Sequence, residues 1–407
     1  MKGMTLMINL LKRNKNLRLF LLIDIISSFS IGMINTGASW FVIQETKSNE
    51  CLSLFMVSNV VATLLLTTLS GKIVDSISRK KVIISSLFVR SVVFGTVALF
   101  FINFSFSFPL ICLVSAVFGV GWLFYYSASR SYLQSAVLES NFGIVNSFLE
   151  ITLQVGMFVS GGLTGYLLKF ISFPSILLIG SLLLLLLSLL GLKLQSINTA
   201  FKNTTGKAYN VKFSDVISLL RNKRIIIVIS ILCMVPLFIV QIYNATMPGY
   251  ILNVLRATSS DYGLSDMVYG IGGMIAGILC NNLMKKNTFK KLIICFYTTM
   301  FFSFLSIILF REKIILFICA FAIGLSNSAG RIFTNTQLMI LVKNKFMGRI
   351  NSLISGLTQV FNLLLTISIG YFNDKYGETF SFIIIDLIIL MAIILTILNS
   401  FVEKMEN

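Results

Sequence analysis

Twelve long apolar runs, parted by short polar turns, leave this chain very few ways to fold. They cover residues 19–43, 52–74, 82–103, 109–133, 143–168, 172–194, 224–253, 262–284, 289–310, 314–342, 347–372 and 379–402. A helix crossing a bilayer takes about 20 predominantly apolar residues, and every run reaches that length. Barrel strands are short and alternate in polarity, whereas these runs are continuous, so strands are not expected. With 56% apolar and 12% charged residues the chain is not a soluble globule. The expected class is an all-α integral membrane protein with twelve transmembrane helices.

The formal charge of +18 would point to nucleic acid in a soluble protein. Its placement points elsewhere. With the N-terminus in the cytoplasm, most of the 33 Lys and Arg fall in cytoplasmic turns, as the positive-inside rule requires. The basic partner is then anionic lipid, not nucleic acid, and an even number of spans leaves both termini cytoplasmic. The basic segment before Leu19 is followed by a run too long for a signal peptide, with no small-residue cleavage site, and reads as the first span. There is no histidine, and the six cysteines stand singly with no Cys-x-x-Cys pair. Neither a metal site nor a disulfide framework is indicated, and no cofactor is expected. A phosphate-cradling Gly-x-x-x-x-Gly-Lys-Ser/Thr loop is missing, which excludes an ATP-driven pump. No nucleophile–base set stands out either, so the chain is not expected to be an enzyme.

Between the second and third runs lies Gly71-Lys-Ile-Val-Asp-Ser-Ile-Ser-Arg-Lys-Lys-Val82, read as a tight basic turn. Its skeleton of Gly71, Asp75, Arg79 and Lys80 recurs 206 residues later as Gly277, Asn281, Lys285 and Lys286. Runs five and eleven agree at an offset of 205, where Gly143, Asn146, Ser147, Gln154, Val155, Gly165 and Tyr166 meet Gly348, Asn351, Ser352, Gln359, Val360, Gly370 and Tyr371. Phe118 and Gly121 meet Phe321 and Gly324 at 203. Three segments therefore report one tandem repeat. Six spans per copy is even, so both copies enter the membrane in the same orientation, a parallel repeat about the membrane normal. The expected organisation is a six-helix half over 1–194, a cytoplasmic linker over 195–222, and a second six-helix half over 223–407.

Polar residues inside the spans are the candidates for function. In the first span Asp24, Ser28, Gly32, Asn35 and Ser39 form one helical stripe, which must face protein or a water-filled cavity. Arg90 in the third span either snorkels to headgroups or pairs with a carboxylate. Tyr125 and Tyr126 in the fourth form a substrate wall or an interfacial belt. Glu150 lies two turns inside the fifth span, and its repeat counterpart is Ser355. The seventh carries Pro236, Gln241, Asn244 and Pro248 and is expected to be kinked. The tenth carries Asn327, Arg331 and Asn335 at successive i, i+4 positions. Asp24 and Glu150 either carry protons or pair structurally with Arg90, Arg130 or Arg331.

The Gly-x-x-x-Asp-x-x-x-Arg-Lys turn after a second span resembles the signature loop of major facilitator transporters. The stretch Gly348-Arg349-Ile-Asn-Ser-Leu and the later Gly370-x-x-x-Asp374-x-x-Gly377 resemble the macrolide-efflux-like drug:proton antiporters within that superfamily. The chain departs from that group's pattern at Ser127, at Ser160-Gly161, at Ile31 and at Asp24. The resemblance implies a monomeric bacterial cell-membrane carrier that works by alternating access and exports a small amphiphilic molecule, a drug or macrolide-like antibiotic, against protons. A polar metabolite such as a metallophore, or uptake, are the alternatives. It further implies that Asp24 and Glu150 couple protons and that Tyr125, Tyr126, Gln241, Asn244, Asn327 and Arg331 line the substrate cavity. Gly71, Asp75, Arg79, Lys80, Gly277, Asn281, Lys285, Gly348 and Arg349 would belong to gating loops.

Overall fold

In the computed structural model the described residues are 14–136, 142–195, 224–286, 288–342 and 344–406. They form twelve α-helices. The first six are α1 Lys15–Thr46, α2 Asn49–Ser76, α3 Arg79–Asn103, α4 Phe108–Ala136, α5 Phe142–Leu167 and α6 Phe173–Gly191. The second six are α7 Arg224–Gly249, α8 Ser259–Lys286, α9 Phe289–Leu309, α10 Lys313–Leu341, α11 Asn344–Tyr376 and α12 Thr379–Glu406. Eleven of them are long and apolar enough to cross a membrane.

The duplication is visible in which helices touch. In the first half α1 packs on α5, α6 and α4, while α3 packs on α4 and α6. Six helices later α7 packs on α11, α12 and α10, while α9 packs on α10 and α12. The two sequence copies thus build the same bundle. The chain forms two compact units, the first being Met1–Lys47, Leu54–Lys202 and Thr258–Met267, the second Ser48–Ser53, Asn203–Ala257 and Val268–Asn407. Each unit therefore takes one short helix start, from α2 or α8, out of the other copy's sequence.

Local chemistry explains the element ends. Asn14 caps α1 by accepting the backbone N–H of Leu17 at 3.0 Å, which satisfies a donor that no helical carbonyl can reach. Pro174 sits in the first turn of α6, where a missing N–H costs nothing. Pro236 and Pro248 lie inside α7, and the helix continues as a π-helical turn over Tyr250–Val254. Proline withholds a ladder donor, so the register loosens there. The expected irregularity of this span is present, and it falls at the helix end.

The polar stripe of α1 turns to protein. Asp24, Ser28, Gly32 and Ser39 are buried, and Asn35 is half-buried. A Cβ on Gly32 would come within 2.9 Å of the Met157 Cα, and one on Gly156 within 2.7 Å of the Ser28 Cβ. Small residues on both helices let α1 and α5 approach backbone to backbone. The outward faces are apolar, as with Leu65 and Ile278, at 70% and 72% exposure, which suits contact with lipid tails.

Two expectations need correction. The turn expected over Gly71–Val82 is tight but shorter than that stretch: α2 runs through Ser76 and α3 starts at Arg79, leaving only Ile77 and Ser78 between them. Arg79 and Lys80 then act as ties. The Arg79 guanidinium donates to the Ser131 carbonyl at 2.9 Å, and the Lys80 ammonium to the Leu192 carbonyl at 2.7 Å. They fasten the start of α3 to the ends of α4 and α6, where cations meet the negative ends of helices. Arg90 does not snorkel, because it is wholly buried against Gly121 of α4, and among the described residues no carboxylate pairs with it.

Candidate functional site

In the first unit the structure builds a polar cluster around Asp24, on the α1 face that meets α4 and α5. The carboxylate is buried, with 5% exposure. The Tyr125 hydroxyl donates to its Oδ1 at 3.0 Å, and the Thr152 hydroxyl to its Oδ2 at 2.7 Å. Ser27, one turn further along α1, donates to the Tyr125 hydroxyl at 3.3 Å. The Arg90 guanidinium lies over the Tyr125 ring, 5.4 Å from its centroid, within cation–π range. Three helices thus place an acid, a tyrosine and an arginine in series.

Room for that series comes from one glycine. A Cβ on Gly121 would collide with the Arg90 side chain, its Nε among the nearest atoms at 2.7 Å. The Arg90 Nε donates to the Ser86 carbonyl of its own helix at 3.1 Å. Among the described residues its Nη1 and Nη2 find no hydrogen-bond partner.

Of the two predicted cavity tyrosines, only Tyr125 joins this cluster. Tyr126 is 41% exposed, with the Arg130 guanidinium 4.9 Å from its ring centroid and Trp122 at 5.6 Å. The side chains of Glu150, Gly71, Asp75, Asn281, Lys285 and Gly348, like most of the linker, lie outside the described residues. Gly277 is described and exposed, and among the described residues nothing lies within 4 Å of the place its Cβ would take. Arg349 is half-buried.

In the second unit the predicted cavity residues are held by neighbouring helices. Gln241 on α7 donates to the Thr366 hydroxyl on α11 at 3.0 Å. Asn327 on α10 donates to the Tyr269 hydroxyl on α8 at 3.0 Å, and Tyr269 stacks against Tyr243 with centroids 5.0 Å apart. Asn244 is half-buried and Arg331 exposed.

Sequence reasoning missed two acidic sites. Asp266 on α8 lies in the first unit, where Thr36 donates to it at 3.4 Å. An acid inside an apolar run was the available signal. The other is a polar knot at the end of α11. Asp374 caps the start of α2, accepting the backbone N–H groups of Asn49 at 2.6 Å and Glu50 at 3.1 Å. It also accepts from the Ser48 hydroxyl at 2.6 Å and the Asn49 amide at 3.0 Å. Glu378 accepts from Asn49 at 3.1 Å and from Asn253, in the π-helical turn, at 2.6 Å. The spacing Gly370-x-x-x-Asp374-x-x-Gly377 now has reasons. A Cβ on Gly370 would sit 2.9 Å from the Asn49 carbonyl, Asp374 caps, and Gly377 takes φ +87°, which L side chains avoid.

Residues 20–364 match the family model described as Major Facilitator Superfamily. No curated protein matches the chain in sequence. Among solved structures the chain is similar to the nucleoside transporter NupG, with a TM-score of 0.76 at 14% identity over 94% of this chain and 98% of that one. It is also similar to a bacterial homologue of the human lysosomal transporter Spinster, with a TM-score of 0.77 at 12% identity over 95% and 96% of the two chains. A bacterial homologue of the iron transporter ferroportin gives 0.73 at 13% identity over 94% and 98%.

Proposed function

This chain belongs to the major facilitator superfamily of membrane transporters, and on that footing we propose that it exports a small amphiphilic molecule in exchange for protons. The observation that carries the proton half is the setting of Asp24. An ionised carboxylate only accepts hydrogen bonds, and Tyr125 and Thr152 each supply a donor. A protonated carboxyl must donate, so one of those hydroxyls has to turn away or accept instead. Proton uptake at α1 is thereby felt directly by α4 and α5. Such a group changes both its charge and its helix contacts in one step, as a carrier coupled to protons requires.

The substrate half rests on composition and on resemblance. Apolar surface with a few fixed polar groups suits amphiphiles, and Tyr126, Asn244 and Arg331 keep surface that a substrate can reach. Entry and exit by alternating access, with both termini in the cytoplasm of a bacterial cell, belong to the same proposal.

The test is Asp24→Asn in proteoliposomes. Asparagine keeps the shape and one acceptor but cannot ionise. Substrate binding should survive while gradient-driven transport is lost. Undiminished proton-driven transport by the purified variant would remove Asp24 as the carrier.

A further inference from the structure

Beside the Asp24 cluster, between α3 and α4 of the first unit, lies a cavity of about 370 Å³. That is within the range of about 300–1,000 Å³ typical of small-molecule sites. Its walls are Val82, Val89, Val117, Val120 and Phe124, with Arg90 as the one charged group. Val89 in its wall is 52% exposed, so the cavity opens beside an exposed apolar side chain.

Arg90 is an expensive residue to leave there. Its side chain is fully buried, yet among the described residues the Nη1 and Nη2 donors have no hydrogen-bond partner. A buried, unpaired cation costs several kcal/mol unless something neutralises it. The Tyr125 ring supplies a weak partial substitute. Asp24 does not supply the rest: its oxygens accept from Tyr125 and Thr152, and neither is a hydrogen-bond partner of the Arg90 terminal nitrogens. The two terminal nitrogens of one guanidinium match the two oxygens of a carboxylate. The hydroxyl of Ser86 donates to the Gly121 carbonyl at 2.8 Å, and that of Ser85 to the Val82 carbonyl at 3.1 Å, so neither hydroxyl hydrogen is available to an anion.

Depth decides what kind of anion. Arg90 lies eleven residues past the start of α3, or about 16 Å along the helix, near the middle of a hydrocarbon layer about 30 Å thick. A phospholipid head stays at the surface and does not reach there. A lipophilic carboxylic acid does, because its neutral form dissolves in the bilayer and ionises once it meets a guanidinium. We propose that this cavity is a lateral binding site for lipophilic monocarboxylates, with the carboxylate on Arg90 and the tail along Val117, Val120 and Phe124.

The test uses decanoate, decanol and the full-length protein in phosphatidylcholine nanodiscs, with binding read by calorimetry. Decanoate should bind saturably and decanol far more weakly. Arg90→Gln should weaken decanoate about ten-fold or more, the scale of lost hydrogen bonds to a charge. Val120→Trp, which fills the cavity and leaves the guanidinium in place, should abolish binding. Should Arg90→Gln fail to fold, the Val120→Trp and decanol measurements decide alone. Equal binding of decanol, or unaltered decanoate binding by Val120→Trp, overturns the site. Displacement of decanoate by phosphatidylglycerol in the disc overturns the monocarboxylate assignment in favour of a phospholipid.

Discussion

The knot formed by Ser48, Asn49, Asn253, Asp374 and Glu378 allows a graded prediction, because its two acids differ in burial. Asp374 is exposed, whereas Glu378 retains 5% exposure. Replacing Asp374 by alanine removes a helix cap, worth about 1 kcal/mol, and a favourable charge at a helix N-terminus, worth about 0.3–1 kcal/mol. Water repays part of the loss at Ser48 and Glu50. The expected cost is about 1–2 kcal/mol for Asp374→Ala, and less for Asp374→Asn, which keeps one acceptor oxygen for the cap and loses the second acceptor and the charge, the charge being worth about 0.3–1 kcal/mol. Glu378→Ala strips the acceptor from Asn49 and Asn253, where water cannot substitute. Two hydrogen bonds to a buried charge make about 3 kcal/mol the expected loss. Unfolding of the detergent-solubilised variants, followed by circular dichroism, should therefore rank Glu378→Ala below Asp374→Ala and Asp374→Ala below Asp374→Asn. Equal stability of all three, or a reversed order, would refute the claim that burial sets the worth of these contacts.

Two further outcomes follow from the packing and the topology. Gly32→Val should prevent a stable bundle from forming, since a side chain there meets the Met157 backbone and overpacking already costs about 1–3 kcal/mol where neighbours can yield; normal expression and melting would contradict the close α1–α5 contact. An epitope inserted at Ser105 should be reached from outside intact cells and one after Lys286 only from inside, and the opposite labelling would reverse the proposed orientation.

Helix number, duplication and membership of a twelve-helix transporter fold were legible because they rest on long-period signals. Apolar length and a repeat of about 205 residues survive local irregularities. The site was legible only where a polar residue breaks an apolar run. Asp24 stands out in that way, and so does Arg90, but their relation does not. Nothing in spacing links residue 24 to 125 and 152, because those contacts depend on how helices rotate against each other. The same reasoning explains Tyr125 and Tyr126. Adjacent on one helix, they differ by about 100° around its axis, so one reaches Asp24 and the other stays exposed beside Arg130. The turn at Ile77–Ser78 was misjudged because basic residues were read as loop, whereas Arg79 and Lys80 begin a helix and bind the carbonyl ends of its neighbours. Glu378 lay beyond the span boundaries and offered no pattern.

The two halves finally separate what the shared scaffold demands from what one copy adds. Gly121 and Gly324 occupy matching positions in α4 and α10, yet they make room for different guests. At Gly324 a Cβ would strike the backbone of Tyr269, so the glycine permits two helices to approach. At Gly121 the obstacle is the stem of Arg90, a side chain that the other half lacks, since the position 206 residues on is Phe296. The matches of Tyr125 and Asp24, taken at offsets of 203 and 205, are Ser328 and Ile229. The second half builds the same helix pairings with none of the three. Packing of this bundle therefore does not require an acid, a guanidinium or a tyrosine at these three positions. Burying such charges works against stability unless they are fully paired, and the Arg90 terminal nitrogens are not. Their presence in one half alone is what the two proposals, Asp24 as the proton carrier and Arg90 as the partner of an anion, require of groups that the shared scaffold does not need.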